Sequence, residues 1–305
     1  MRVVVTGGTG FVGRDVVDAL LARDEDVTVV TRDASRMPQS IQGRVATCTW
    51  NELDLDGVDA VVHLAGENLF ARRWSKAQKQ RILSSRVDSS EKLLEAIQRA
   101  AQRPRVLVHA SAIGYYGPKV GAEQDDEVDE TSPPGSDFLA EVCVAWEAAC
   151  SPACDLGLRV VPLRLGIVLG EGGGALQEMK TPFLFFIGGP IGDGKQWMSW
   201  VHLRDVSRLA LLAIDDERCT GPLNVVAPHP VRMNTFAKAL GRAMMRPSWL
   251  RVPRFAIRLF VGEAASTIVE GQRVVPLRAR ELGYGFEYAE VAEALTDILR
   301  SDSDA

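Results

Sequence analysis

Short apolar runs and helix-patterned stretches alternate along the first half of the chain. Val3 to Val5 is a β-branched run that passes straight into glycines. Val12, Val16, Val17, Leu20 and Leu21 then recur at helical spacing, and Val27 to Val30 supplies the next apolar run. Continuous apolar runs of this length predict strands buried on both faces, and the amphipathic stretch between them predicts a crossover helix. The pattern repeats. Arg44 to Trp50 predicts a third strand and Ala60 to Ala65 a fourth. A long segment after Ser75 keeps Ile82, Leu83, Val87, Leu93, Leu94 and Ile97 apolar among charges and stops at Pro104. Arg105 to Ser111 predicts a fifth strand, Asp137 to Cys150 a helix and Leu158 to Leu165 a sixth strand.

From Gly170 the pattern changes to glycine-rich punctuation at Gly172 to Gly174, Gly188-Gly189-Pro190 and Gly192 to Gly194, which predicts irregular loops. Trp197 to Val201 predicts a short strand, Asp205 to Ile214 a helix and Leu223 to Val226 a last strand. The remainder, with Asn234 as an N-cap and Phe255 to Leu259 within it, predicts mostly helix, and Ser301 to Ala305 a frayed end. Strands alternating with helices define an α/β protein: a Rossmann-type doubly wound parallel sheet with a smaller, mostly helical C-terminal lobe. The expected division is a dinucleotide domain at 1–169, with 199–226 returning to it, and a lobe at 170–198 and 227–305.

The turn after the first run carries chemistry. Gly7, Gly10 and Gly13 lie between a strand and a helix, where unpaired backbone N–H groups and the helix dipole favour an anion, and glycine leaves room for it. With strand, turn, helix and strand in about thirty residues, this is a βαβ dinucleotide unit. The second strand ends Val29-Val30-Thr31-Arg32-Asp33. Thr31 stands where an NAD site places a carboxylate, and the Arg32 guanidinium beside it suits a 2′-phosphate, so NADP (NADPH) is expected over NAD. A solvated Arg32 paired with Asp33 is the competing reading. In such sheets ligands lie beyond the carboxyl ends of the strands, which directs attention to Leu64 to Asn68, Ser111 to Gly117 and Arg164 to Leu169.

Composition narrows the class. The 305 residues are 46% hydrophobic with net charge −5, enough for a large core and without a basic tract for nucleic acid or anionic membrane. Five cysteines without Cys-x-x-Cys spacing point to idle thiols in a reducing compartment. No secretory leader or membrane-length apolar run is recognisable. A cytoplasmic enzyme with a small-molecule substrate is expected, without nucleic acid, membrane or metal.

Several motifs together resemble the extended and atypical short-chain dehydrogenase/reductases, and more narrowly their 39U-like epimerase family with a C-terminal domain of unknown function. They are Thr6-Gly-Gly-Thr-Gly-Phe-Val-Gly13, Leu64-Ala-Gly-Glu-Asn68, Ser85-Arg-Val87, Ser111-Ala-Ile-Gly-Tyr-Tyr-Gly117, Trp146-Glu147, Arg164-Leu-Gly-Ile-Val-Leu169, Gly188-Gly-Pro-Ile-Gly192, Trp200-Val-His202 and Gly271-Gln-Arg-Val-Val-Pro276. The resemblance implies Gly7, Gly10, Phe11, Val12 and Gly13 on the pyrophosphate, and Thr31 and Arg32 on the adenosine phosphate. It implies Leu64, Ala65 and Gly66 beside the adenine-side ribose and diphosphate, with Arg86 and Val168 further along the cofactor. Ser111 and Arg164, at their strand ends, complete the cofactor set. Plain strand packing for Leu64 and Ala65 and a solvated helix face for Arg86 are the alternatives. A homodimer is common among such relatives.

One departure stands out. The wider superfamily orients substrate with Ser or Thr and transfers a proton through Tyr, activated by a Lys four residues later. Here Ala112 holds the Ser/Thr position, and Phe138 and Val142 hold the Tyr and Lys places on the helix. Three readings follow. An oxidoreductase or epimerase-like enzyme would use Ser111, Tyr115 and Tyr116 as catalytic groups, with Glu67, Trp200 and His202 on the opposite wall. Against these stand packing for the tyrosines, a structural hydrogen bond for His202 and helix capping for Glu67. The second reading is a non-catalytic NADP(H)-binding sensor, and the third a scaffold.

Overall fold

The computed structural model describes residues 1–69, 72–119, 124–253 and 270–301. Seven parallel strands form its central sheet: β1 (Arg2–Thr6), β2 (Asp26–Val30), β3 (Ala46–Cys48), β4 (Ala60–His63), β5 (Val106–Ala112), β6 (Arg159–Leu165) and β7 (Leu223–Val225), in the order β7-β6-β5-β4-β1-β2-β3. The direction of winding reverses between β1 and β4, so the chain segments leaving these two strands diverge and open a crevice at their carboxyl ends.

The strand pattern explains both cores. Val3, Val5, Val29, Val62 and Val108 face α1 (Phe11–Leu21) and α5 (Leu203–Asp215). Val4, Val61 and Leu107, one residue out of phase, face α2 (Lys76–Arg99) and α3 (Phe138–Cys150) through Leu93, Ile97 and Trp146. Helices on both faces therefore require the unbroken valine runs seen in the sequence. Ser75 caps α2 by accepting from the Gln78 amide at 3.2 Å, and Asp137 caps α3 through the Ala140 amide at 3.1 Å.

The second half differs from expectation in detail. The glycine-rich stretch contains a helix, α4 (Gly174–Leu184), whose Leu176 and Phe183 are buried in a separate lobe core with Met198, Trp200, Phe236 and Leu295. Arg232 occupies the N-cap of α6 (Met233–Ala243), so Asn234 lies one residue inside it. The single strand expected at 197–201 is two pieces, Trp197–Met198 antiparallel to Val231–Arg232 and Trp200–His202 parallel to Ile167–Leu169. The third strand shrinks to three residues. Helices Leu277–Glu281 and Val291–Ser301 follow. Phe255 to Leu259 and residues 302–305 lie outside the described residues.

Candidate functional site

The glycine turn has no room for a side chain at Gly7 or Gly13, and its geometry suits an anion. Gly7 sits at φ +70°, and a Cβ there would lie 2.7 Å from the Leu64 carbonyl carbon; on Gly13 it would lie 2.1 Å from the Gly7 oxygen. Turn, β4 end and first helical turn are thus packed backbone to backbone. Gly10 is the N-cap of α1, no side chain caps that helix, and its first turn holds no acidic residue. The open N–H groups suit a dinucleotide diphosphate. Phe11, the first helical residue, turns its ring toward the other lobe: Cβ atoms on Gly170, Gly173 or Gly174 would all lie within 3.0 Å of it. Val12 packs against the sheet core.

Beyond the turn, the ends of β2 and β4 form the next wall. The Thr31 hydroxyl accepts from the Asp33 amide at 3.2 Å. Asp33 turns its carboxylate onto Ser35, accepting from the amide at 3.0 Å and the hydroxyl at 2.6 Å. Arg32 is exposed, and no ion pair engages it among the described residues. The Leu64 amide donates to the Thr6 carbonyl at 3.0 Å and the Ala65 amide to the Thr6 hydroxyl at 3.3 Å. Thr6 is itself held by buried His63, whose Nδ1 lies 2.6 Å away.

Arg86 projects inward from α2 rather than onto a solvated face. It is buried, donates to the Ile82 carbonyl at 2.9 Å, and lies 4.9 Å from the Trp146 ring centre. A Cβ on Gly66 would lie 3.3 Å from its guanidinium carbon, so Gly66 leaves the cation uncovered. Desolvation lowers its pKa, with Cys143 and Glu67 opposing. A buried guanidinium without an ion-pair contact among the described residues favours an acceptor-bearing ligand.

Ser111, Tyr116 and Arg164 come together, but in a buried network under the strand ends. The Ser111 hydroxyl donates to Glu147 at 2.6 Å. Glu147, on α3, also accepts two bonds from Arg164, both 2.9 Å. Arg164 donates to the Tyr116 oxygen at 3.0 Å, and Tyr116 donates to Asn224 at 2.6 Å. Burial pushes the Tyr116 phenol up to about 12, against the pull of Arg164. Tyr115 is half-buried, its ring under the Arg164 guanidinium at 3.5 Å and edge-on to Tyr116. Tyr115 and Lys119 have Tyr-x-x-x-Lys spacing, but on a 3₁₀ turn that ends at Gly117 and Pro118 rather than on the helix where that spacing aligns two side chains.

A cleft of about 420 Å³ opens above this network. Its floor is Ala112 to Gly114 after β5 and Leu165 to Ile167 after β6; Val142, Cys143 and Trp146 of α3 form one wall, and Met179 of α4 with Met198 the other. Val168 pairs with Val201 beside it. Three residues expected on the far wall lie elsewhere. Trp200 is fully buried and donates to the His229 carbonyl. His202 caps α5, accepting from the Arg204 amide at 3.1 Å, and stacks on Tyr288 at 3.9 Å. Glu67 donates its amide to the Ser85 hydroxyl at 3.0 Å and is half-exposed. Glu147 and Asn224 escaped the sequence reading of the site because their partners lie 17 to 108 residues away. No His, Cys, Asp or Glu cluster fit for a metal occurs among the described residues, and no helix there is long and apolar enough to cross a membrane.

Residues 3–225 match the model of the NAD dependent epimerase/dehydratase family, and residues 252–298 match a domain of unknown function, DUF1731. The chain is 40% identical to the chloroplastic epimerase family protein SDR39U1 homologue of Arabidopsis thaliana, over 98% of this chain and 87% of the relative. The crystal structure of human epimerase family protein SDR39U1 with NADPH superposes with a TM-score of 0.90 at 36% identity, covering 98% of this chain and 99% of that one. UDP-glucose 4-epimerase of Thermotoga maritima with UDP-glucose, at 21% identity and a TM-score of 0.78 over 100% of this chain and 99% of that one, shares the fold.

Proposed function

Because the chain belongs to the NAD-dependent epimerase/dehydratase family, we propose that it is an NADP(H)-dependent oxidoreductase or epimerase-like enzyme acting on a small carbonyl, alcohol or sugar-type molecule. The observation that carries this reading is the side-chain-free glycine turn at an uncapped helix start, continuous along the strand ends with an open cleft. A relative of 36% identity holds NADPH, which supports it.

Gly7 to Gly13 would hold the diphosphate and Thr31 and Arg32 the adenosine 2′-phosphate. Leu64, Ala65 and Gly66 would lie along the adenosine half, with Arg86 and Val168 further on. When bound, the dinucleotide supplies or accepts a hydride. Ser111 and Arg164 act on this end through Glu147, holding β5 and β6 in register as positioning residues. For proton transfer we assign Tyr115. Of the three hydroxyls at these strand ends it is the one without a hydrogen-bond partner among the described residues, next in the chain to the cleft-lining Gly114.

Two substitutions test the assignment. Arg32→Ala lowers NADPH affinity by roughly tenfold to a hundredfold, the worth of one charge-assisted contact, and leaves NADH binding unchanged. Equal losses for both cofactors refute the phosphate role. Tyr115→Phe abolishes turnover on a carbonyl and alcohol panel with NADPH affinity intact. A second reading, a non-catalytic NADP(H) sensor, is favoured by Ala112 at the substrate-orienting position and by the engagement of the Ser111 and Tyr116 hydroxyls. Tight NADPH binding with no turnover across the panel selects it.

A further inference from the structure

The cleft has the wrong charges for a nucleotide sugar. A nucleoside diphosphate brings about two negative charges, which binding sites meet with arginine forks or lysines. The charged side chains on the described lining are Arg86, Asp137 and Glu270. Arg86 lies at the Gly66 end, where the dinucleotide is placed, so among the described residues the substrate side is left with two carboxylates. Asp137 is held there as the cap of α3.

Among the described residues, the two cations beside Trp197 are already neutralised. Arg232 and Arg273 flank the ring of lining residue Trp197, at 3.9 and 5.2 Å, but Arg232 pairs with Asp125 and Arg273 with Glu127. Polar side chains on the lining are likewise spent on the fold. Ser199 accepts from the Val274 amide and donates to the Gln272 carbonyl at 2.8 Å, and the Gln272 amide donates to the Ile113 carbonyl at 2.6 Å. Burial pushes the Cys143 thiol up to about 11, so this wall carries no thiolate.

The remaining surface is apolar. Half-buried Met179, Trp197, Leu139 and Ile167 line it, over Met198 and Met233, whose side chains belong to the lobe core. Thioethers adapt their shape and make favourable edge contacts with aromatic rings. The volume sits at the small end of ligand pockets, which run from roughly 300 to 1,000 Å³.

We infer that the substrate side of the cleft takes a compact, uncharged aromatic carbonyl or alcohol, seated among Met179, Trp197, Leu139 and Ile167, and rejects nucleoside diphosphate sugars. This rests on the cofactor reading above, so cofactor affinity is measured first. Loss of NADP⁺ binding by the wild-type chain overturns that reading instead. Calorimetry on the full chain saturated with NADP⁺, titrated with acetophenone, 1-phenyl-1,2-propanedione, UDP and UDP-glucose, reads the inference without turnover. The neutral aromatic carbonyls bind and the UDP compounds do not. Met179→Lys, on the half-buried face of α4, weakens the carbonyl probes about tenfold or more with NADP⁺ affinity retained. Binding of UDP or UDP-glucose that displaces the carbonyl, failure of both carbonyls to bind, or indifference of their binding to Met179→Lys overturns it.

Discussion

Glu147→Gln removes one charge from the most enclosed ion pair among the described residues. The Arg164 side chain is 4% exposed and that of Glu147 14%, so water screens neither. Glu147 accepts three hydrogen bonds, from Ser111 and twice from Arg164. Glutamine keeps the shape but presents an N–H₂ where one bond was accepted, and leaves the guanidinium without its counter-ion. Breaking a buried pair from one side costs about 3–5 kcal/mol, and the retained oxygen places this substitution at the low end, near 3. For a chain of this size, at about 2 °C per kcal/mol, the melting temperature falls by roughly 6 °C. Calorimetric or circular-dichroism melts of wild type, Glu147→Gln, Arg164→Met and the double variant measure it. In the double variant, where no charge is stranded, stability recovers part of the loss. A fall below about 1 kcal/mol, or strictly additive singles, refutes the claim that the pair is interdependent.

Further outcomes follow from other groups. Tyr116→Phe strands the Asn224 side-chain oxygen and one Arg164 N–H, costing about 1–3 kcal/mol in urea denaturation without changing NADPH affinity; a lost affinity refutes the structural role. Burial holds the His63 imidazole down to about 3 and that of His109 to about 4. The unfolded chain protonates these groups near 6.5 and the folded chain does not, so as pH falls from there toward 4 each withdraws about 1.4 kcal/mol of stability per unit. Imidazole NMR of the folded protein checks this, and titration of either ring above pH 5 refutes it. Met245 lies at φ 53°, just past the end of α6, and is 85% exposed. Met245→Gly stabilises by about 0.5–1 kcal/mol in thermal melts, since glycine takes that conformation freely; destabilisation refutes the strain argument.

What was readable in the chain is what nearest-neighbour physics decides. Val3 to Val5 and Val27 to Val30 announce buried parallel strands because helices on both faces demand apolar side chains at every position. Gly7 and Gly13 announce their turn because backbone contact there admits nothing larger, and Gly10 sits between them with little room to spare. α4 was hidden because Gly172 to Gly174 and Pro182 look like punctuation, although Leu176, Met179 and Phe183 keep helical spacing. The far wall failed for a different reason. Trp200 and His202 sit in a motif next to the cleft in sequence, yet the strand Trp200–His202 directs them into the lobe core and onto a helix cap. The polar network was illegible because Glu147, Arg164, Tyr116 and Asn224 are brought together by β5, β6, β7 and α3 from four separate segments.

Phe11 joins parts of the molecule that would otherwise be independent. Its backbone belongs to the helix start proposed to receive the diphosphate, while its ring lies on the glycines leading into α4, whose Met179 lines the cleft. A ligand that displaced this residue would meet the glycines leading into the cleft wall, and an occupant that displaced that wall would meet the Phe11 ring. Linkage makes the effect equal in both directions: whatever free energy one guest lends the other, it receives in return. A single aromatic ring thus gives the two halves of the protein a shared thermodynamic account of what each has bound.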